Sequence, residues 1–322
     1  MKRRSLLAVA ASIAASRAAL AQPDRRLRIG FLHPGQSQLV MTRVVAFREG
    51  LLGGTLREPD VEIVVQLAND RIDRLPAMAQ ELVDRGVRAI CAVSPPAVKA
   101  AYAATRSIPI LAMDLESDPV TNGWAASLAR PGGNVSGVFL DLPGFNAKSL
   151  QLLREIVPGL AKASVFWHPA SGRLQLDAVR NAATALGIQQ EVVEVSAPAD
   201  FEPAFQAAVA GGCRGVLMLS SPLFGGNPQL LADLAIKHRL PAINIYPEFA
   251  QKGGLLGYGP DLQSLFAQAG TMVRKAIQAG TASDLPIERP TRFKLVANLA
   301  TARLLGTSIP PSVLAGADEV IE

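Results

Sequence analysis

From residue 27 to residue 258 the chain alternates between short apolar runs and amphipathic stretches, which points to parallel strands joined by helical crossovers. Runs at 27–32, 61–67, 89–93, 108–113 and 135–140 read as strands. Helical patterns fall at 38–52, 72–85 and from about residue 96, with Val44, Phe47 and Leu51 on one stripe of the first. Crossovers of this length imply a parallel sheet covered on both faces. The pattern then restarts, with strands at 163–167, 191–195, 215–219, 242–246 and 255–258 and helices near 174–186, 201–210 and 229–237. Two similar α/β units follow, with a boundary around 141–162. Beyond them lie a long helix at 261–279, a Pro-rich connector at 280–291, a strand-like run at 293–299 and a short helix from 301. These elements are too few to bury a core of their own. The expected division is 22–141 plus about 262–322 for the first unit and 142–261 for the second.

The first residues read as an address rather than as part of the fold. Lys2, Arg3 and Arg4 precede a short apolar run at 6–15, and Ala19-Leu20-Ala21 offers the small residues of a cleavage site before Gln22. The run is well short of the roughly 20 residues that span a bilayer. Residue 22 is not cysteine, so no lipid anchor is indicated. Arg3-Arg4 followed by Ser5-Leu6-Leu7 resembles a twin-arginine signal, while the missing Ser or Thr before the pair leaves the general secretory route equally open. The protein is expected in the periplasm, with residues 1–21 removed as a signal peptide.

That segment also carries most of the net charge of +5. It holds four basic residues and no acid, so the mature chain has 28 basic against 27 acidic residues. A near-neutral chain lacks the electrostatic basis for a nucleic-acid partner. Two cysteines cannot build a disulfide framework, and three histidines leave little for a metal site. There is no dinucleotide-binding glycine fingerprint after the first strand, no Walker A loop, and no H-E-x-x-H or G-x-S-x-G run. A nucleophile–base pair is not found. The expectation is a binding protein without cofactor or metal rather than an enzyme.

Ligands of parallel sheets bind beyond the carboxyl ends of the strands. Those ends read Ser94-Pro95-Pro96, Asp114, Ser117-Asp118-Pro119, Ser220-Ser221-Pro222 and Tyr246-Pro247-Glu248, with His33 and His168 after the first strand of each unit. Between them stand Leu128-Ala129-Arg130-Pro131-Gly132-Gly133-Asn134-Val135-Ser136-Gly137 and, further on, Tyr258-Gly259-Pro260-Asp261-Leu262. In combination, from about Arg28 to Glu322, this set resembles the ABC-transporter substrate-binding proteins that include tryptophan- and tyrosine-binding members. The resemblance implies a type I periplasmic binding protein architecture: two Rossmann-like lobes, three crossovers and a ligand cleft between them. It further implies an amino-acid-like ligand and an ABC permease as partner, with the protein itself monomeric. A sensing module reporting to a membrane receptor would share the same features, and a secreted α/β enzyme is a third reading. The stretch Ser221-Pro222-Leu223-Phe224-Gly225-Gly226 departs from the family's more polar pattern, and aromatic residues are only 5% of the chain.

The candidate ligand contacts follow from side-chain chemistry. Ser94 stands where a strand gives way to a helix, so its hydroxyl serves as cap, as ligand donor or as both, beside the free N–H groups of Ala97 and Val98. Pro95 preorganises the turn. Asp114 and Glu248, one from each unit, could close on an ammonium. Tyr246 and Tyr258 offer a ring face and a hydroxyl, and His33 and His168 could line the cleft. Cleavage before Gln22 predicts that mature protein lacks residues 1–21. Intact mass of exported material checks this, and retention of those residues would contradict it.

Overall fold

The computed structural model describes residues 26–53 and 56–322; the signal segment lies outside the described residues. Two sheets form two lobes. The first has the order β2-β1-β3-β4-β5, all parallel, from β1 (Leu27–His33), β2 (Val61–Leu67), β3 (Ala89–Val93), β4 (Ile110–Asp114) and β5 (Val135–Phe139). The central strand β3, Ala-Ile-Cys-Ala-Val, is buried at every residue, as a strand covered on both faces must be. Helix α1 (Ser37–Leu51) contributes to the core on one face, while α2 (Leu75–Asp84) and α3 (Ser94–Ala104) cover the other.

The second sheet runs β12-β11-β10-β9-β8-β6-β7. Its parallel part comprises β6 (Lys162–Trp167), β7 (Gln189–Glu194), β8 (Val216–Met218), β9 (Ala242–Asn244) and β10 (Leu256–Pro260). Helices α4 (Leu142–Ile156) and α5 (Leu174–Leu186) pack on one face, and α6 (Phe201–Ala210) and α8 (Pro228–Lys237) on the other. The short α7 (Pro222–Gly225) and α9 (Glu248–Gln251) follow β8 and β9.

The chain crosses between lobes after β5, after β10, and before β11 (Phe293–Asn298). Helix α10 (Leu262–Ala279) follows the second crossing and lies along α1 in the first lobe. Asp261 caps it by accepting the Ser264 N–H at 2.7 Å, and Gly280 ends it in the left-handed region. Assigning all of 262–322 to the first lobe needs correction. Strand β11 pairs antiparallel with β10, and β12 (Glu319–Ile321) pairs parallel with β11, so the tail completes the second sheet. The reason is the open edge of β10, which offers unpaired backbone groups to the returning chain. Helices α11 (Leu299–Leu305) and α12 (Pro311–Ala315) pack there too.

Each crossing contributes one aromatic ring to a common stack. Phe145 lies at 5.1 Å and 9° from Tyr258, and at 6.2 Å and 30° from Phe293. Tyr258 therefore packs at the crossings, beside Leu140, Phe145 and Phe293.

Helices α1 and α10 touch backbone to backbone at two glycines. A Cβ on Gly50 would stand 1.8 Å from the Ala267 carbonyl oxygen, and one on Gly270 would stand 2.1 Å from that of Phe47. Arg274 and Thr271 both donate to the Gly50 carbonyl across this contact. Gly50→Ala and Gly270→Ala are each expected to cost about 1–3 kcal/mol of stability by forcing the helices apart. Denaturant unfolding checks this; unchanged midpoints would contradict so close an approach.

Candidate functional site

The carboxyl ends of the two sheets face each other, so the loops that follow their strands meet along one seam. Three cavities lie on it. The first is a narrow slot with about 350 Å³ of space among its atoms, part of it open to solvent. It is lined by Asp70 and Ser94 from the first lobe and by His168, Ser171, Ser196 and Ser221 from the second. The second, inner cavity of about 270 Å³ lies among His33, Arg43, Glu116 and Tyr246, with Val93, Met113 and Phe266 as apolar wall. The third, about 900 Å³, is bounded by Arg43, Glu248, Gln251, Asp261 and Lys294. Pro222 lines the first two and Arg43 the last two, so the three form one chain through the seam.

Hydrogen bonds cross the seam. Ser220 Oγ donates to Glu116 Oε1 at 2.6 Å, and the Tyr246 hydroxyl lies 3.1 Å from the same Oγ. Ser220 is held from behind: its N–H donates to Gln175 Oε1 at 2.8 Å, and Gln175 Nε2 donates to its carbonyl at 2.9 Å. Arg43 Nη2 donates to the Gly225 carbonyl at 3.3 Å, again from one lobe to the other.

Among the described residues, five buried side-chain polar atoms lack a partner. Four belong to this seam: His33 Nε2, Ser94 Oγ, Glu116 Oε2 and Glu248 Oε2. Such an atom costs about 1–3 kcal/mol when water is withdrawn, so the concentration marks a place built to meet something else. Backbone strain gathers here as well. Of the four described non-glycine residues with left-handed φ, Asn69, Asp70 and Ser94 lie at the ends of β2 and β3.

The expected site residues are dispersed along the seam and beyond it. Ser94 reaches the first cavity, and its hydroxyl makes no capping bond. Of the two prolines after it, Pro96 lines that cavity and Pro95 does not. Ala97 and Val98 are fully buried in the first lobe's core. His168 lines the first cavity; its Nδ1 accepts the Ala170 N–H at 3.1 Å, and burial lowers its pKa. His33 and Tyr246 line the inner cavity. His33 Nδ1 accepts the Gly35 N–H at 2.9 Å, which assigns the proton of the neutral ring to Nε2. Burial, then the charge of Arg43, hold its pKa well below the usual histidine range.

Asp114 and Glu248 do not face each other across one cavity: Glu248 lines the third, and Asp114 lines none of the three. Asp114 is spent on its own loop, accepting the N–H groups of Glu116 and Ser117 at 2.8 and 3.0 Å and the Ser117 hydroxyl. The acid that reaches the seam is Glu116, two residues later. Sequence reasoning passed over Glu116 and Arg43. Their signals were a second acid just past a strand end and a basic residue beside the apolar stripe of α1.

Burial pushes Asp114 up to about 6. Burial, then the neighbouring Asp114 charge, raise Glu116 well above the usual carboxylate range. The folded protein thus holds more protons than the unfolded chain between the ordinary carboxylate pKa near 4 and about 6 or above. In that window stability falls as pH rises. Glu116→Gln removes one of the two acids and keeps an acceptor for Ser220. Wild type is expected to lose stability relative to E116Q as pH rises from about 4. Parallel denaturant-melt profiles would mean that the pair ionises freely.

Comparison with known proteins places this arrangement. The family profile "ABC transporter substrate binding protein" matches residues 41–321. A curated relative, a tyrosine-binding protein of Clostridioides difficile (strain R20291), is 26% identical over 252 residues, covering 76% of this chain and 71% of that protein. Among solved structures, the fold is similar to an ABC domain in complex with L-Trp from Streptococcus pneumonia, with a TM-score of 0.83 at 20% identity over 92% of this chain and 100% of that one. A ligand-free, open substrate-binding protein with adhesive properties from Clostridium difficile gives 0.64 at 22% identity, covering 91% of this chain and 99% of that one. Two α/β lobes with their strand ends facing across a seam are the type I periplasmic binding architecture, and the chain belongs to the ABC transporter substrate-binding protein family.

Proposed function

We propose that this protein captures a small amino-acid-like carboxylate between its lobes outside the cytoplasm and presents it to an ABC permease. The observation that carries the reading is the set of unpartnered buried atoms on the seam: His33 Nε2, Ser94 Oγ, Glu116 Oε2 and Glu248 Oε2. A ligand that pairs with them in the closed form and loses them in the open form shifts the lobes toward closure. Only such differential contacts can do so.

The groups divide by chemistry. Ser94 and the serines of the second lobe offer hydroxyls at the first cavity. Glu248 keeps one free oxygen for an ammonium. Glu116, whose protonated form burial favours, offers Oε2 as a hydrogen-bonding group, and Asp114 supports it through its backbone N–H. The unfilled space of the first cavity is too narrow for an amino acid, so a ligand enters while the lobes stand apart. The tyrosine-binding relative and the L-Trp complex support an amino acid as the first class to try.

The test is purification without denaturation, followed by mass spectrometry of released small molecules and titration calorimetry with aromatic and branched amino acids and their deaminated analogues. A true ligand at about 100 times its Kd stabilises by about 2.7 kcal/mol, which raises Tm by roughly 5 °C in a chain of this size. Ser94→Ala is expected to weaken binding, and Glu248→Gln to weaken an amino acid more than its deaminated analogue. Absence of any released molecule, together with no response across the panel, would sink the reading.

A further inference from the structure

Arg43 is 9% exposed, yet among the described residues no carboxylate lies within ion-pair distance of it. Buried arginines are ordinarily paired, because withdrawing a charge from water is costly. The one hydrogen bond recorded for Arg43 is the 3.3 Å contact with the Gly225 carbonyl. The acids around it are engaged or apart. Glu116, on the same inner cavity, accepts from Ser220 through Oε1 and keeps Oε2 unpartnered but not ion-paired to the guanidinium, burial favouring its protonated form. Asp261 caps α10, and Glu248 lines the same outer cavity with its Oε2 likewise unpartnered rather than ion-paired. Lys294, the other cation of that cavity, already pairs with Glu319 at 2.6 Å.

A second donor converges on the inner cavity. His33 carries its proton on Nε2, which is buried there without a partner. A guanidinium and an imidazole N–H beside one space call for an anionic acceptor, and the planar fork of arginine suits a carboxylate. The cavity sits at the carboxyl ends of β1, β3 and β4, where the walls Val93, Met113 and Leu115 exclude water and strengthen such a pair.

We propose that Arg43 is the anion receptor of the seam: with His33 Nε2–H it takes the carboxylate of a ligand that enters acid end first, its remainder extending toward Ser94 and His168. This rests on the ligand-capture reading and specifies its ligand class. In the absence of an anion, closure leaves Arg43 with a single carbonyl. With the carboxylate in place, closure buries a matched pair.

The probe is sodium acetate, compared with acetamide and with sodium chloride at equal ionic strength, on the mature wild type, Arg43→Gln and Arg43→Lys. Thermal unfolding reads binding, and the ¹⁵N signal of the Arg43 side chain, assigned by its loss in R43K, reads location. Acetate is expected to raise Tm and shift that signal where acetamide and chloride do not. R43Q should weaken the acetate response by roughly tenfold or more, and R43K should retain part of it. Equal responses to acetate, acetamide and chloride would overturn the proposal, as would R43Q behaving like wild type or inorganic phosphate outperforming acetate. Should R43Q fail to fold, R43K and the wild-type signal still decide. A co-purified ligand bound equally by wild type and R43Q would sink this assignment and leave ligand capture standing. Absence of any ligand, with acetate still read at Arg43, would do the reverse.

Discussion

Two sheets set with the carboxyl ends of their parallel strands facing bring the loops that follow those strands into one seam, and those loops carry the polar groups that cannot be placed within the strands. Closing the seam withdraws water from both sides at once. Every donor and acceptor must then find a partner across the gap, in its own loop, or in a third molecule. Ser220 and Glu116 take the first solution and Asp114 the second. Ser94 Oγ, His33 Nε2 and the free oxygens of Glu116 and Glu248 have neither, and the character of the site follows from that shortage.

Its electrostatics are correspondingly taut. Two acids sit side by side with their pKa values raised by burial, a histidine is kept neutral beside an arginine, and among the described residues no carboxylate lies within ion-pair distance of that arginine. Each is tolerable in a seam that opens to water and costly in one that stays shut. The polar network therefore has the character of an interface that meets water or a further molecule rather than of a permanent core.

Much of this was legible in the sequence because parallel strands announce their ends. An apolar run that stops at Val93 or Met218 and soon gives way to serines marks a loop at the seam, and the residues after such runs supplied Ser94, His33, His168 and Tyr246, all of which line its cavities. What stayed hidden depended on contacts between distant segments. Nothing near Phe293 says that it returns to the edge of β10 rather than to the first sheet, since either edge would accept an apolar strand. Asp114 and Glu116 are two residues apart, and only the turn that folds Asp114 back onto its own N–H groups shows which acid faces outward. Arg43 shares a helix face with core residues such as Val40, Val44 and Phe47, where its charge looks like an anomaly until the second lobe covers it.

The ring stack at the crossings has a mechanical meaning. Rings lying nearly parallel can slide across one another while keeping most of their contact, whereas pulling them apart exposes apolar carbon at about 25 cal/mol per Å². Phe145, Tyr258 and Phe293 come from three separate passages of the chain, yet all three sit on elements of the second lobe, α4, β10 and β11, so drawing any one passage away from the other two exposes ring carbon. The stack is a clasp: it ties the three crossings into one bundle where they enter the second lobe.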